Sequence, residues 1–87
     1  MTNLAEHQAA KQWRKRLGLT RSALADLTGF SAGSIATFEA GRKTNGEPID
    51  PASFQRYKLA CAAIQAGLAF DWQTVTFEVQ ETRRVAI

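Results

Sequence analysis

Apolar side chains recur at helical spacing from Leu4 to Leu17, with Ala10, Trp13 and Leu17 at i, i+3 and i+7 and charges between them. The spacing predicts a first helix, ended by Gly18 in the position where a left-handed residue closes a helix. Thr20 is a good N-cap for a short second helix over Arg21–Thr28, with Leu24 and Leu27 as its apolar marks and Gly29 as its stop. Ser31 caps a third helix over Ala32–Ala40, which carries Ile35 and Phe38 inward before Gly41 closes it. Residues 42–49 hold Asn45-Gly46 and Pro48 and read as a loop. Asp50-Pro51 then opens a fourth helix as cap and first residue. Phe54, Tyr57, Cys61, Ile64 and Leu68 form its apolar stripe at i, i+3, i+7, i+10 and i+14, with Gly67 as terminator.

Beyond Gly67 the period changes from about 3.6 to 2. Val75, Phe77 and Val79 alternate with Thr76, Glu78 and Gln80, the pattern of a half-buried strand. Such a strand needs a partner for its backbone and its apolar face. Three partners fit: a short strand around Phe70–Trp72, the Arg83–Ile87 tail, or the same strand of a second subunit. The reading taken is a homodimer built partly from this segment, with Phe70, Trp72, Val75, Phe77 and Val79 at the interface. The chain then divides into a helical domain over 1–67 and a C-terminal β extension over 68–87.

The two short central helices are the informative feature. Neither is long enough to stand alone, so each must pack on a neighbour. Ala25 is small where a close helix crossing demands it, Gly29 suits a left-handed turn, and Leu24, Ile35 and Phe38 fill a shared core. These are the physical requirements of a helix-turn-helix.

Composition narrows the function. With 87 residues, 45% hydrophobic and 22% charged, the chain suits one small globular domain rather than a disordered or multi-domain protein. No apolar run approaches the roughly 18–20 residues of a membrane span, and the N-terminus lacks a secretory layout. A single cysteine, Cys61, forms no internal disulfide and points to a reducing compartment, most simply the bacterial cytoplasm. The net charge of +3 is unevenly placed: residues 1–43 carry +4 and residues 44–87 carry −1. A basic front half suits a polyanion, nucleic acid being the usual one. One histidine and one cysteine cannot assemble the common catalytic triads, and no phosphate loop or metal-ligand spacing is visible. His7 lies near a polar helix start, while Trp13 and Cys61 read as core. The expectation is a non-enzymatic protein with no cofactor and no metal.

The stretch Trp13-Arg14, Leu17-Gly18-Leu19-Thr20-Arg21-Ser22-Ala23-Leu24-Ala25, Gly29-Phe30-Ser31, Ser34-Ile35 and Phe38-Glu39-Ala40-Gly41-Arg42 resembles the Cro/lambda-repressor-like (XRE) helix-turn-helix regulators, over roughly residues 10–66. The resemblance implies a mainly α, compact four- to five-helix lambda-repressor-like DNA-binding domain, here with a short C-terminal β segment, working as a dimer on double-stranded DNA. It implies that Arg21 and the amides near Thr20 touch phosphate, and that Ser31, Ala32, Gly33, Ser34 and Thr37 face the major groove. Arg42 and Lys43, with Thr44 and Asn45, are implied to follow the backbone. It also implies a structural pair between Arg14 and Glu39.

Two departures matter. Relatives often present Gln, Arg or Asn to the groove, for bidentate bonds to bases, whereas this chain offers small residues. Base readout is therefore expected to lean on Arg21, Arg42 and Lys43, on close backbone approach and on DNA shape. Thr28 stands where an apolar residue is common, at an expected small stability cost. The expected activity is a sequence-specific regulator, a dimeric repressor or autorepressor of phage, plasmid or bacterial origin on a palindromic operator. The alternatives are an antitoxin-like module that binds a protein partner through the C-terminal segment, or an architectural or excision factor.

Overall fold

The computed structural model describes residues 4–79. Four helices, α1 Glu6–Arg16, α2 Arg21–Thr28, α3 Ala32–Ala40 and α4 Pro51–Ala66, are followed by strands β1 Leu68–Asp71 and β2 Thr76–Val79. The tail Arg83–Ile87, one of the strand partners considered above, lies outside the described residues.

Local chemistry sets the helix ends. Gln8 reaches back to accept from the Ala5 amide at 3.1 Å, bracing the start of α1. Thr20, Ser31 and Asp50 each accept the amide three residues on, at 3.0, 3.0 and 3.2 Å. Gly29, Gly41 and Gly67 take left-handed conformations after α2, α3 and α4.

Leu24, Ile35, Phe38 and Tyr57 form the buried centre, with Ala10, Trp13, Leu19, Phe30, Phe54 and Ile64 packed around it. Tyr57 of α4 stacks on Phe38 of α3 at 4.6 Å, and Phe30 meets both rings edge-on at 5.4 and 5.7 Å. This aromatic cluster fastens α4 to the helix-turn-helix pair. Leu27, expected as an apolar mark of α2, is 53% exposed, because Leu24 and the flanking Ala25 supply that helix's buried side. Between α1 and α4 two polar clasps, Glu6–Lys58 at 2.7 Å and Trp13 Nε1 to Gln65 Oε1 at 2.7 Å, bracket an apolar cleft of about 300 Å³.

Gly67 turns the chain directly into an antiparallel hairpin with the register Leu68↔Val79, Ala69↔Glu78, Phe70↔Phe77 and Asp71↔Thr76. The strand expected from Val75 starts one residue later. Val75 lies in the turn at φ +53°, unusual for a β-branched residue, while Asp71 Oδ1 accepts the Gln73 amide at 2.8 Å. Leu68 likewise leaves the α4 stripe and opens β1. Trp72 is the first turn residue and meets Phe70 edge-on at 5.0 Å. Alternation puts Leu68, Phe70, Phe77 and Val79 on one face, all solvent-exposed, and Ala69, Asp71, Thr76 and Glu78 on the other.

Candidate nucleic-acid interface

Residues 20–43 build this surface from short-range bonds outward. Thr20 caps α2 and thereby sets Arg21 at its first turn. At the other end Thr28 Oγ1 donates to the Leu24 carbonyl at 2.9 Å and accepts the Phe30 amide at 3.2 Å. The hydroxyl therefore ties the turn between the helices, a use that an apolar residue cannot serve. Gly29 at φ +85° reverses the chain there, and Ser31 begins α3.

Ser31, Ala32 and Gly33 are exposed at the N-terminus of α3, and Ser34 and Thr37 are half-buried beside them. A Cβ at Gly33 would meet only Ser31 Oγ, at 3.8 Å, so nothing inside the fold requires glycine. With no side chain there, the helix backbone at Gly33 lies open to solvent. The hydroxyls are partly engaged within the helix. Ser31 Oγ donates to Ser34 Oγ at 3.1 Å, and Thr37 Oγ1 donates to the Gly33 carbonyl at 3.1 Å. The first amides of α3 and its dipole favour negative charge at this end.

The loop after α3 carries Arg42 and Lys43, both exposed. Lys43 is held by its backbone, since its amide donates to the Glu47 carbonyl at 2.8 Å and its carbonyl accepts the Gly46 amide at 2.8 Å. Ser34, Thr37 and Lys43 share a furrow of about 380 Å³ with Thr44 and, across it, Asp50 and Ser53. Sequence reasoning did not place those last two there. The signal was the Asp50-x-x-Ser53 cap, in which Ser53 donates to Asp50 through amide and hydroxyl and keeps its carboxyl below the usual range. The furrow thus carries a lysine, Lys43, and a carboxylate, Asp50.

Beneath α2 and α3 lies a buried charge cluster. Arg14 donates to Glu39 twice, Nε to Oε2 at 2.7 Å and Nη2 to Oε1 at 3.1 Å, and its Nη1 donates to the Leu19 carbonyl at 2.8 Å. Arg21 Nε donates to Glu39 Oε1 at 3.1 Å. Burial alone would push the Glu39 carboxyl up, but the hydrogen bonds and charge of Arg14, then of Arg21, outweigh it and hold it low. The Arg14 guanidinium is raised mainly by its bond to Glu39. The Arg21 contact with Glu39 is not signalled by the sequence, because no local spacing marks it and the resemblance implies only the Arg14 pair.

Among the described residues no group of three or more His, Cys, Asp or Glu side chains could hold a metal ion, and no helix is long and apolar enough to cross a membrane. Comparison with curated proteins and comparison with solved structures each give no significant match. A family profile described as a helix-turn-helix domain matches residues 8–57, from α1 to Tyr57 of α4. With more than half of its length under that match, the chain belongs to the helix-turn-helix domain family, which supports a DNA-binding regulator.

Proposed function

We propose that the protein is a sequence-specific transcriptional regulator of the Cro/lambda-repressor-like type, a dimeric repressor or autorepressor acting on a palindromic operator in the bacterial cytoplasm. The observation that carries this reading is the exposed N-terminus of α3, whose Gly33 has no internal reason to be glycine, with Lys43 sharing a furrow with Ser34 and Thr37. In the proposal Thr20 and Arg21 hold one phosphate strand, Arg42 and Lys43 follow the other, and Ser31, Ala32, Gly33, Ser34 and Thr37 lie against base edges. With no long polar side chain on α3, discrimination comes from methyl and hydroxyl contacts, close backbone approach and DNA shape. A bound dimer blocks polymerase at an overlapping promoter.

The hairpin supplies the proposed dimer contact. Phe70, Trp72 and Phe77 are 50%, 83% and 66% exposed, with Val75 and Val79 beside them. Full cover of this face would bury about 700 Å² per protomer, near the size of a stable protein interface. Half-sites would then lie about one helical turn apart.

Selection from a randomised duplex library at fixed, near-physiological salt tests the reading. An enriched inverted repeat supports it, with Gly33→Leu leaving the fold intact while abolishing enrichment. Binding without enrichment favours an architectural factor, and no binding at all refutes DNA recognition. The exposed hairpin also favours a second reading, a protein-interaction module whose partner covers that face. Truncation after Gly67 separates the two: a dimeric regulator becomes monomeric in light scattering and loses operator affinity, whereas an interaction module keeps its oligomeric state and loses only its partner.

A further inference from the structure

Glu39 links two surfaces that the DNA reading treats separately. It sits near the end of α3, with its side chain 1% exposed, and it accepts hydrogen bonds from Arg14 of α1 and Arg21 of α2. Arg14 is buried and fully engaged, two of its nitrogens on Glu39 and the third on the Leu19 carbonyl. Arg21 differs. Its side chain is 41% exposed, and only its Nε is bonded among the described residues. The carboxylate therefore grips the inner corner of the Arg21 fork and leaves the outer nitrogens toward solvent at the first turn of α2.

We propose that Glu39 is a positioning residue for DNA binding: it orients the Arg21 guanidinium so that its two outer nitrogens form a preset phosphate clamp in fixed register with α3. This rests on the DNA-binding reading above. The charge balance supports it. One buried carboxylate faces two guanidiniums, so the cluster keeps a net positive charge, and that charge is displayed at its only half-open member. A planar guanidinium held at Nε retains a parallel pair of outward donors, the geometry that matches two phosphate oxygens. Because Glu39 belongs to α3, the clamp and the groove-facing helix cannot shift independently. An arginine fixed beforehand also loses less side-chain freedom on binding than a free one.

The sign of one substitution separates positioning from simple charge. Glu39→Gln makes the protein more positive, so unspecific electrostatics would tighten DNA binding, whereas loss of orientation weakens it. The experiment is a double-mutant cycle of Glu39→Gln and Arg21→Ala, by fluorescence anisotropy on the duplex enriched in the selection, or on a mixed-sequence duplex if none is enriched. Folding of each variant is checked by circular dichroism at the assay temperature. The expected result is an affinity loss of about tenfold for Glu39→Gln in the Arg21 background and less than about twofold in the Arg21→Ala background. Arg21→Ala also lowers the slope of log affinity against log salt by about one. Arg21→Lys, at a half-exposed position and with charge unchanged, loses about fivefold and covers the case in which Glu39→Gln does not fold. Equal losses from Glu39→Gln in both backgrounds, a gain in affinity, or wild-type binding by Arg21→Lys would each overturn the proposal alone. Absence of salt-sensitive binding by the wild type to either duplex would instead refute the DNA reading and the clamp with it.

Discussion

Replacing Glu39 by alanine gives the sharpest test of what holds the helix-turn-helix to α1. The substitution removes three N–H···O bonds and leaves the guanidinium of Arg14, 7% exposed, facing a methyl group. Removing one partner of a buried pair costs about 3–5 kcal/mol, because the surviving charge is left desolvated. Two features place this case at the lower end. Arg14 keeps the Leu19 carbonyl at 2.8 Å, and half-exposed Arg21 can turn into water. A loss of about 3 kcal/mol lowers the Tm of a domain this small by roughly 12–24 °C. Glu39→Gln keeps the shape and one acceptor, so its loss is about half as large. Arg14→Met combined with Glu39→Leu recovers most of the stability, since no charge remains buried.

The same pair sets an acid limit. The Glu39 carboxyl is held below its usual range in the folded chain, so the unfolded chain binds its proton more readily. Its stabilisation is fully present above the unfolded-chain value of about 4.3 and is lost as pH falls through the lower folded value. Thermal melts of wild type and Glu39→Gln by circular dichroism, from pH 7 to pH 3, should therefore converge on the acid side. The difference between the curves isolates Glu39 from other carboxyls such as Asp50. A Tm for Glu39→Ala within about 3 °C of wild type, or curves that stay parallel to pH 3, would refute the reasoning.

Three further outcomes follow from single contacts. The Tyr57 hydroxyl is buried with the weakly bonding Cys61 thiol beside it and no well-formed hydrogen bond among the described residues, and burial, then Cys61, pushes its ionisation well above the ordinary range. Tyr57→Phe should accordingly be neutral or stabilising by up to about 1 kcal/mol in urea titration, and a clear destabilisation would mean the hydroxyl has a partner. Gly41 and Gly46 share a positive φ, +85° and +87°, but a Cβ at 41 meets the His7 ring at 2.9 Å while one at 46 meets nothing within 4 Å. Alanine at 46 should cost about 1 kcal/mol from backbone conformation alone, and alanine at 41 clearly more; equal costs would show that the ring yields freely. Thr28→Val should destabilise by about 1 kcal/mol, through the stranded Phe30 amide, with a gain in Tm as the contrary result.

Much of the architecture was legible because its signals act over a few residues. Thr20, Ser31 and Asp50 each cap the amide three positions on, and Gly29, Gly41 and Gly67 close the helices they follow. The core positions Leu24, Ile35, Phe38 and Tyr57 could be read from periodicity for the same reason. What was hidden depends on topology. The grip of Glu39 on Arg21 and the His7 ring against Gly41 join residues far apart in sequence, and no local spacing announces either. The hairpin differs: a two-residue period says which side chains share a face but not where a turn ends, so Val75 keeps the strand's alternation yet lies in the turn before β2.

α4 is also a ruler. It runs for 16 residues without interruption from the furrow beside α3 to the glycine that opens the hairpin. Tyr57 fixes its roll against Phe38. The separation of the two surfaces is therefore set by helical rise, about 24 Å, and their relative heading by helical phase. One residue inserted between Tyr57 and Gly67 would swing the hairpin by about 100° around the α4 axis, whereas a full turn would nearly restore its heading and move it outward by about 5.4 Å. Any assembly made through the hairpin inherits that gearing, so the spacing of sites it can bridge is written in the length of one helix.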